Sequence, residues 1–358
     1  MRTLRVLSGL LPLVLLAAPA ASAWMGPPEE LPPGGALLQL GTLELGGFAQ
    51  LQYEHHGDAR AEGTLQGADL GRHDFLIPRA RLALRWSPIP ELRFVTEGEA
   101  HADGGGARDV TVSLIEPWTS TGQTLTAGQM RVPFGVEGAL VPEQDLELAT
   151  LSRAMTRLFP GRRDLGAMLS GHEGLFDHAL AVMSGDPDSP DSAPRRIAPD
   201  VVGRVGIRGR LGAVGLSGLV GRAFAAGTAG VVSRGKWRAG ADAELVLRVP
   251  LVGVLSVRGE WIEARDFTRS RGFYAMAVQR VWRRLGLVAR VDRFDPDTAA
   301  SNDAVLTYSF GLLVEPWTRL RALVQYDHVS DHLGPAATTG APTDVANDML
   351  LVRLQAAF

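Results

Sequence analysis

The side chains best suited to chemistry gather around one stretch, GQMRVPFGVEGALVPEQDLELATLSRAMTRLFPGRRDLGAMLSG, from Gly128 to Gly171. It carries Arg131, Arg153, Arg157, Arg162 and Arg163, and Arg79, Arg81 and Arg85 lie along an earlier strand-like run. Guanidinium groups keep a fixed charge and present a fork of donors that matches oxyanions. A ring of them in a pore favours anions and repels cations. The alternative for any one arginine is pairing with a carboxylate across neighbouring strands. Lys236 is the only lysine among 36 basic residues, so 35 are arginine; a GC-rich coding bias would produce the same usage without function.

Other constellations are weaker. Ser170 and His172 stand two apart, with no G-x-S-x-G elbow to make a nucleophile and its base. His55, His56 and Asp58 lack a second ligand pair at metal-binding spacing, and Asp186, Asp188 and Asp191 lack the calcium-loop pattern. No catalytic residue, metal or cofactor is expected. A net charge of -3 gives no support for nucleic-acid binding.

What positions the arginines is a chain of strands. Residues 1–23 have two arginines, an apolar core and small residues at Ala21 and Ala23, which predicts a secretory signal peptide. Residues 24–36 are rich in Pro and Gly and read as a flexible leader. No Cys is present, which excludes disulfides and a lipid-anchored cysteine. Residues 37–358 then alternate apolar and polar side chains in about sixteen segments, each near the length a tilted strand needs to cross a bilayer. Leu43, Leu45, Ala49, Leu51 and Tyr53 oppose Glu44, Gln50, Gln52 and Glu54; Leu350, Val352 and Leu354 oppose Arg353 and Gln355.

Long connections alternate with short ones. Residues 55–73, 137–163, 184–200, 224–235, 295–303 and 329–347 are read as long loops, and turns such as 87–90, 250–252 and 315–318 as short ones. Outer-membrane barrels put long loops outside and tight turns in the periplasm. Trp86, Trp118, Trp282 and Trp317 beside short turns, with Trp237 and Trp261 near the opposite ends, suit two interfacial girdles. The expected fold is all-β: a transmembrane antiparallel barrel of about sixteen strands, in contact with outer-membrane lipids, with its third long loop folded into the lumen. Within that loop Glu143, Asp145 and Glu147 precede the arginines, the order that suits a helix dipole, and Leu151, Met155 and Leu158 share a helical face.

GQMRVPFG, the acidic stretch after it, FPGRRDLGAMLSG, and at the far end RVDRFDPDTAASND and RLQAAF together resemble the phosphate-selective porin O and P family. The resemblance implies a channel for small anionic solutes, with residues 137–163 as the constriction loop and a homotrimer as the assembly. Phosphate selectivity in that family rests partly on pore lysines, where this chain has Lys236 alone. The final Phe358 resembles the signal read by the barrel assembly machinery. Three function classes follow: a passive porin, a plugged barrel serving as receptor or anchor, and a barrel enzyme such as a phospholipase, against which the missing nucleophile motif argues.

Overall fold

A computed structural model describes residues 16–17, 37–56, 73–101, 104–118, 122–185, 198–227, 230–281, 284–330 and 347–358. The signal peptide (apart from a two-residue bridge at 16–17), the leader, Asp58, Asp186, Asp188, Asp191 and Trp282 therefore lie outside the described residues.

Among the described residues sixteen strands form the wall, each antiparallel to its sequence neighbours, and a short arm, Leu38–Leu40, pairs with the start of the first at Leu43–Leu45. The first four are β1 (Leu43–His56), β2 (His73–Leu76 and, after a break, Ala80–Ile89), β3 (Leu92–His101) and β4 (Gly104–Ile115). β5 (Gln123–Arg131), β6 (Arg163–Glu173), β7 (Phe176–Met183) and β8 (Asp200–Gly209) follow. Next come β9 (Gly212–Gly227), β10 (Gly230–Val249), β11 (Gly253–Arg265) and β12 (Arg269–Val281). The last four are β13 (Leu285–Asp295), β14 (Val305–Trp317), β15 (Leu320–Ser330) and β16 (Met349–Ala357). β16 pairs with β1 from Met349↔His56 to Ala357↔Phe48, which closes the sheet into a barrel and leaves no open edge.

The seam needs Gly47. Its amide donates to the Phe358 carbonyl at 2.9 Å, and the Phe358 amide donates back to Gly47 at 2.8 Å. A Cβ at that glycine would stand 2.3 Å from the Arg81 carbonyl oxygen and 2.8 Å from the Phe358 ring.

The period-two pattern sorts side chains as expected. Leu51, Leu82, Val205, Leu216, Phe310, Val352 and Leu354 are exposed on the outside, while Gln50, Gln52, Arg81, Arg204, Asp242 and Arg353 are buried within. Apolar area on that scale, facing outward all round, belongs against acyl chains. Trp86, Trp118, Trp261 and Trp317 are all exposed on it.

Three expectations are corrected. Residues 224–235 are not a long loop: β9 and β10 stay in register through Ala225↔Val232 to Gly227↔Gly230, so this hairpin stands tall. The polar inner face does not run all round, because Met168, Ala179, Ala181, Met183, Val202, Leu219 and Ile262 point inward and are buried. Finally, residues 132–162, between β5 and β6, hold no single helix. They form α1 (Val136–Ala139), a 3-10 turn (Glu143–Asp145) and α2 (Arg153–Leu158), with Ser152 capping α2 by accepting from the Met155 amide. The acidic residues and the arginines thus sit on separate turns, and no common helix dipole links them.

Candidate functional site

The segment 132–162 is anchored first by apolar packing. Val132, Phe134, Met155, Leu158 and Phe159 are buried against the inward apolar residues of β6 to β9 and β11, with Leu151 packed alongside. Phe134 and Phe159 meet as a tilted pair with centroids 4.8 Å apart, and the Arg238 guanidinium covers Phe159 at 4.6 Å. Burial of each such side chain contributes about 1.5–3 kcal/mol. Leu148 and Ala149 join two further clusters with Tyr274, Met276 and Val288, and with Leu313, Leu323 and Leu351.

Polar bonds then tie the segment's backbone to inward-facing side chains. Gly135 and Val136 amides donate to Ser217 of β9 (3.0 Å) and Glu260 of β11 (3.2 Å). Ala149 and Arg153 amides donate to Gln325 of β15 and Asp292 of β13, both at 2.7 Å. Arg290 donates to the Thr150 carbonyl (2.7 Å), Arg321 to those of Gln144 (2.9 Å) and Leu146 (3.0 Å), and Gln355 of β16 to Gln144 (3.0 Å). Gly135, at φ 65, makes the turn into this path; a Cβ there would fall 1.6 Å from the Glu260 carboxylate.

Charge completes the anchoring. Glu143, 2% exposed, receives Arg131 (2.7 Å) and Arg81 (3.0 Å) on one carboxylate oxygen, and Arg162 (2.6 Å) and Arg163 (2.8 Å) on the other. Arg163 also grips Asp109 through two bonds, at 3.0 and 2.8 Å, and Arg81 reaches Glu97 at 3.2 Å and pairs with Glu99. Arg108 adds contacts to Glu99 (3.6 Å) and Glu143 (3.5 Å). Six guanidinium groups, with Arg79 beside Glu99, therefore face four carboxylates in a cluster that latches the segment to β2, β3 and β4.

The eight arginines singled out from sequence divide. Arg81, Arg131, Arg162 and Arg163 converge on Glu143, and Arg79 stands beside them, 3.8 Å from Glu99. Arg85 pairs elsewhere, with Glu44 at 3.1 Å, and Arg153 and Arg157 belong to α2. So one facing ring of eight is not formed: carboxylates stand between the guanidinium groups.

Sequence reasoning missed Glu143 as the hub, and missed Arg108 and Asp109 altogether. A bulge explains the latter, for Thr96↔Val110 is followed by Gly98↔Ala107, which sets Arg108 and Asp109 together opposite Glu97. Arg131 and Arg163 meet because they end β5 and β6 in register. Arg162 holds φ 54, an unfavourable conformation for a residue with a Cβ, and its guanidinium donates to the Glu137 carbonyl.

Burial alone would raise the Glu143 carboxyl, but Arg131, Arg162, Arg163 and Arg81 outweigh it and hold the group well below its ordinary 4.5. Burial also lowers Arg162, to about 10 against the pull of Glu143, so both stay charged at neutral pH. A carboxyl lowered in the folded state contributes stability that is complete above its unfolded value of 4.5 and is lost as pH falls from there through the folded value. Protease resistance of residues 135–162 is expected to hold from about pH 8 to 5 and to decline only below that. Loss between about pH 7 and 5 would contradict the latch.

No protein-family model and no curated protein sequence matches the chain. Solved structures do. An anion-selective porin from Comamonas acidovorans aligns at TM-score 0.61 and 13% identity, over 88% of this chain and 99% of that one. OprB of Pseudomonas putida aligns at 0.63 and 9%, over 88% and 94%, and OmpT of Vibrio cholerae in its trimer form at 0.61 and 9%, over 89% and 100%. The fold is that of the outer-membrane porins. With its closed wall and outward apolar belt, the chain is an outer-membrane β-barrel.

Proposed function

We propose that the chain is a passive porin, a channel that lets small solutes cross the outer membrane down their gradients, with residues 135–162 setting its narrowest level. The observation that carries this reading is the closed wall with charged side chains inside it. Beneath the segment, at the end where the short turns lie, a cavity of about 510 Å³ is lined by Gln144, Arg284, Arg319 and Arg321, against Glu315. That local arginine excess supports a preference for anions, and the anion-selective porin among the structural neighbours agrees with it. Lys236 is held by Asp200 at 2.7 Å, so a phosphate-like oxyanion would be met by arginine alone. The trimer form of OmpT supports a homotrimer.

A plugged barrel is the second reading. It is favoured by the bonds that join residues 135–153 to β9, β11, β13, β15 and β16 as well as to the latch strands. The test is the reversal potential of the refolded protein in a planar bilayer across a KCl gradient, repeated with phosphate. A potential on the chloride side supports the anion channel, and phosphate block would add an oxyanion site. Cation preference would overturn the anion assignment, and absence of conductance would leave the plugged barrel.

A further inference from the structure

A second cavity, of about 200 Å³, shares no lining residue with the first and none with the Glu143 cluster. Its charged and polar lining comes from two sources. Arg153 and Arg157 reach it from α2, whereas Arg290, Asp292, Thr307 and Asp327 reach it from β13, β14 and β15, with His56 at the end of β1. Guanidinium groups and carboxylates thus share one space.

The carboxylates are unusual in their burial. Asp292 is 0% exposed; one oxygen accepts from the Arg153 amide at 2.7 Å, and the other has no hydrogen-bond partner. Asp327 is 4% exposed and accepts from the Gln325 side chain at 2.9 Å. A buried carboxylate oxygen left without a donor is costly, and a cationic N–H group supplies what it lacks. An ammonium presents three such donors. A simple anion would meet both aspartates, and a simple cation would meet Arg153, Arg157 and Arg290, so a ligand of either single charge is opposed by part of the lining.

From this geometry we infer that the cavity is a binding site for a small zwitterion of the α-amino acid class. Its ammonium is taken by Asp292 and Asp327 and its carboxylate by the guanidinium groups of α2. The volume is sufficient: at roughly 30 Å³ per water, it equals about seven waters, enough to hold a small amino acid. The inference rests on the reading of the lumen as open to solute, and it makes the preferred solute one that carries both charges.

Equilibrium dialysis of radiolabelled L-alanine against the refolded full chain in detergent tests it, with propionate and ethylammonium as competitors that each keep one charge. Saturable alanine binding is expected, with each competitor at least tenfold weaker. Asp292→Asn and Asp327→Asn, shown folded by circular dichroism, are each expected to weaken alanine binding at least tenfold. Propionate competing as well as alanine would overturn the zwitterion in favour of an anion site, and ethylammonium doing so would make it a cation site. No saturable binding removes the site altogether. KCl conductance, measured separately, distinguishes that failure from failure of the porin reading: conductance without alanine binding sinks the site alone, and binding without conductance sinks the channel alone.

Discussion

Replacing Glu143 by Gln is expected to release the segment between β5 and β6 while leaving the wall intact. Glutamine keeps the size of the side chain but removes the charge on which Arg81, Arg131, Arg162 and Arg163 converge, and it turns an N–H group toward donors. Of the four carboxylates in the cluster, Glu97, Glu99 and Asp109 would then remain. Removing one partner of a buried ionic cluster costs about 3–5 kcal/mol, because the charges left behind stay desolvated. The positive φ of Arg162 works in the same direction, since the ion pair with Glu143 that helps to hold it would be lost. Amide exchange in residues 135–162 should accelerate about a hundredfold or more, at about 1.4 kcal/mol per tenfold. Single-channel conductance should rise with it. Unchanged exchange and unchanged conductance together would show that the latch does not hold the segment.

Phe134→Ala should loosen the same segment by a different route. Phe134 is 0% exposed, packs tilted against Phe159, and lies so close to β10 that a Cβ on Gly240 would meet its ring at 2.9 Å. Truncation to Ala leaves a cavity among Met155, Phe159 and Ile262 and costs about 3–5 kcal/mol. No charge changes, so exchange should rise while the reversal potential stays where it was. The double variant gives the sharper test. If both changes detach one unit, their combined effect on exchange falls well short of the sum; additive effects would mean that latch and apolar core hold separate pieces.

Much of the wall was legible because a membrane barrel writes its two environments into alternate residues. The runs that became β1, β2, β10 and β16 show this plainly, with Leu82 out and Arg81 in, or Val352 out and Arg353 in. Legibility fails where the inner face is also apolar. Val201 faces outward and Val202 inward, and both are valine; what separates them is the segment that covers Val202, which no local pattern encodes. The apolar residues Leu151, Met155 and Leu158 were correctly seen as sharing one destination, yet the helix that carries two of them spans only Arg153–Leu158. The site was half legible. Arginine is visible as a residue type, but its partner depends on a bulge opposite Glu97 and on the register that ends β5 and β6 together.

The seam between β1 and β16 bears on how the barrel can be made. Gln50 donates to Gln355 across 305 residues of sequence, and every rung from Phe48 to His56 is of that kind. Such contacts give nothing back until the intervening chain has been gathered in, so topology of this sort folds slowly. Until β16 arrives, β1 keeps an unpaired edge beside outward leucines and valines, the surface on which chains aggregate. The wall therefore cannot mature strand by strand from its beginning. Its first strand must be shielded until its last is delivered, which makes holding the unclosed sheet, rather than forming hairpins, the step on which yield depends.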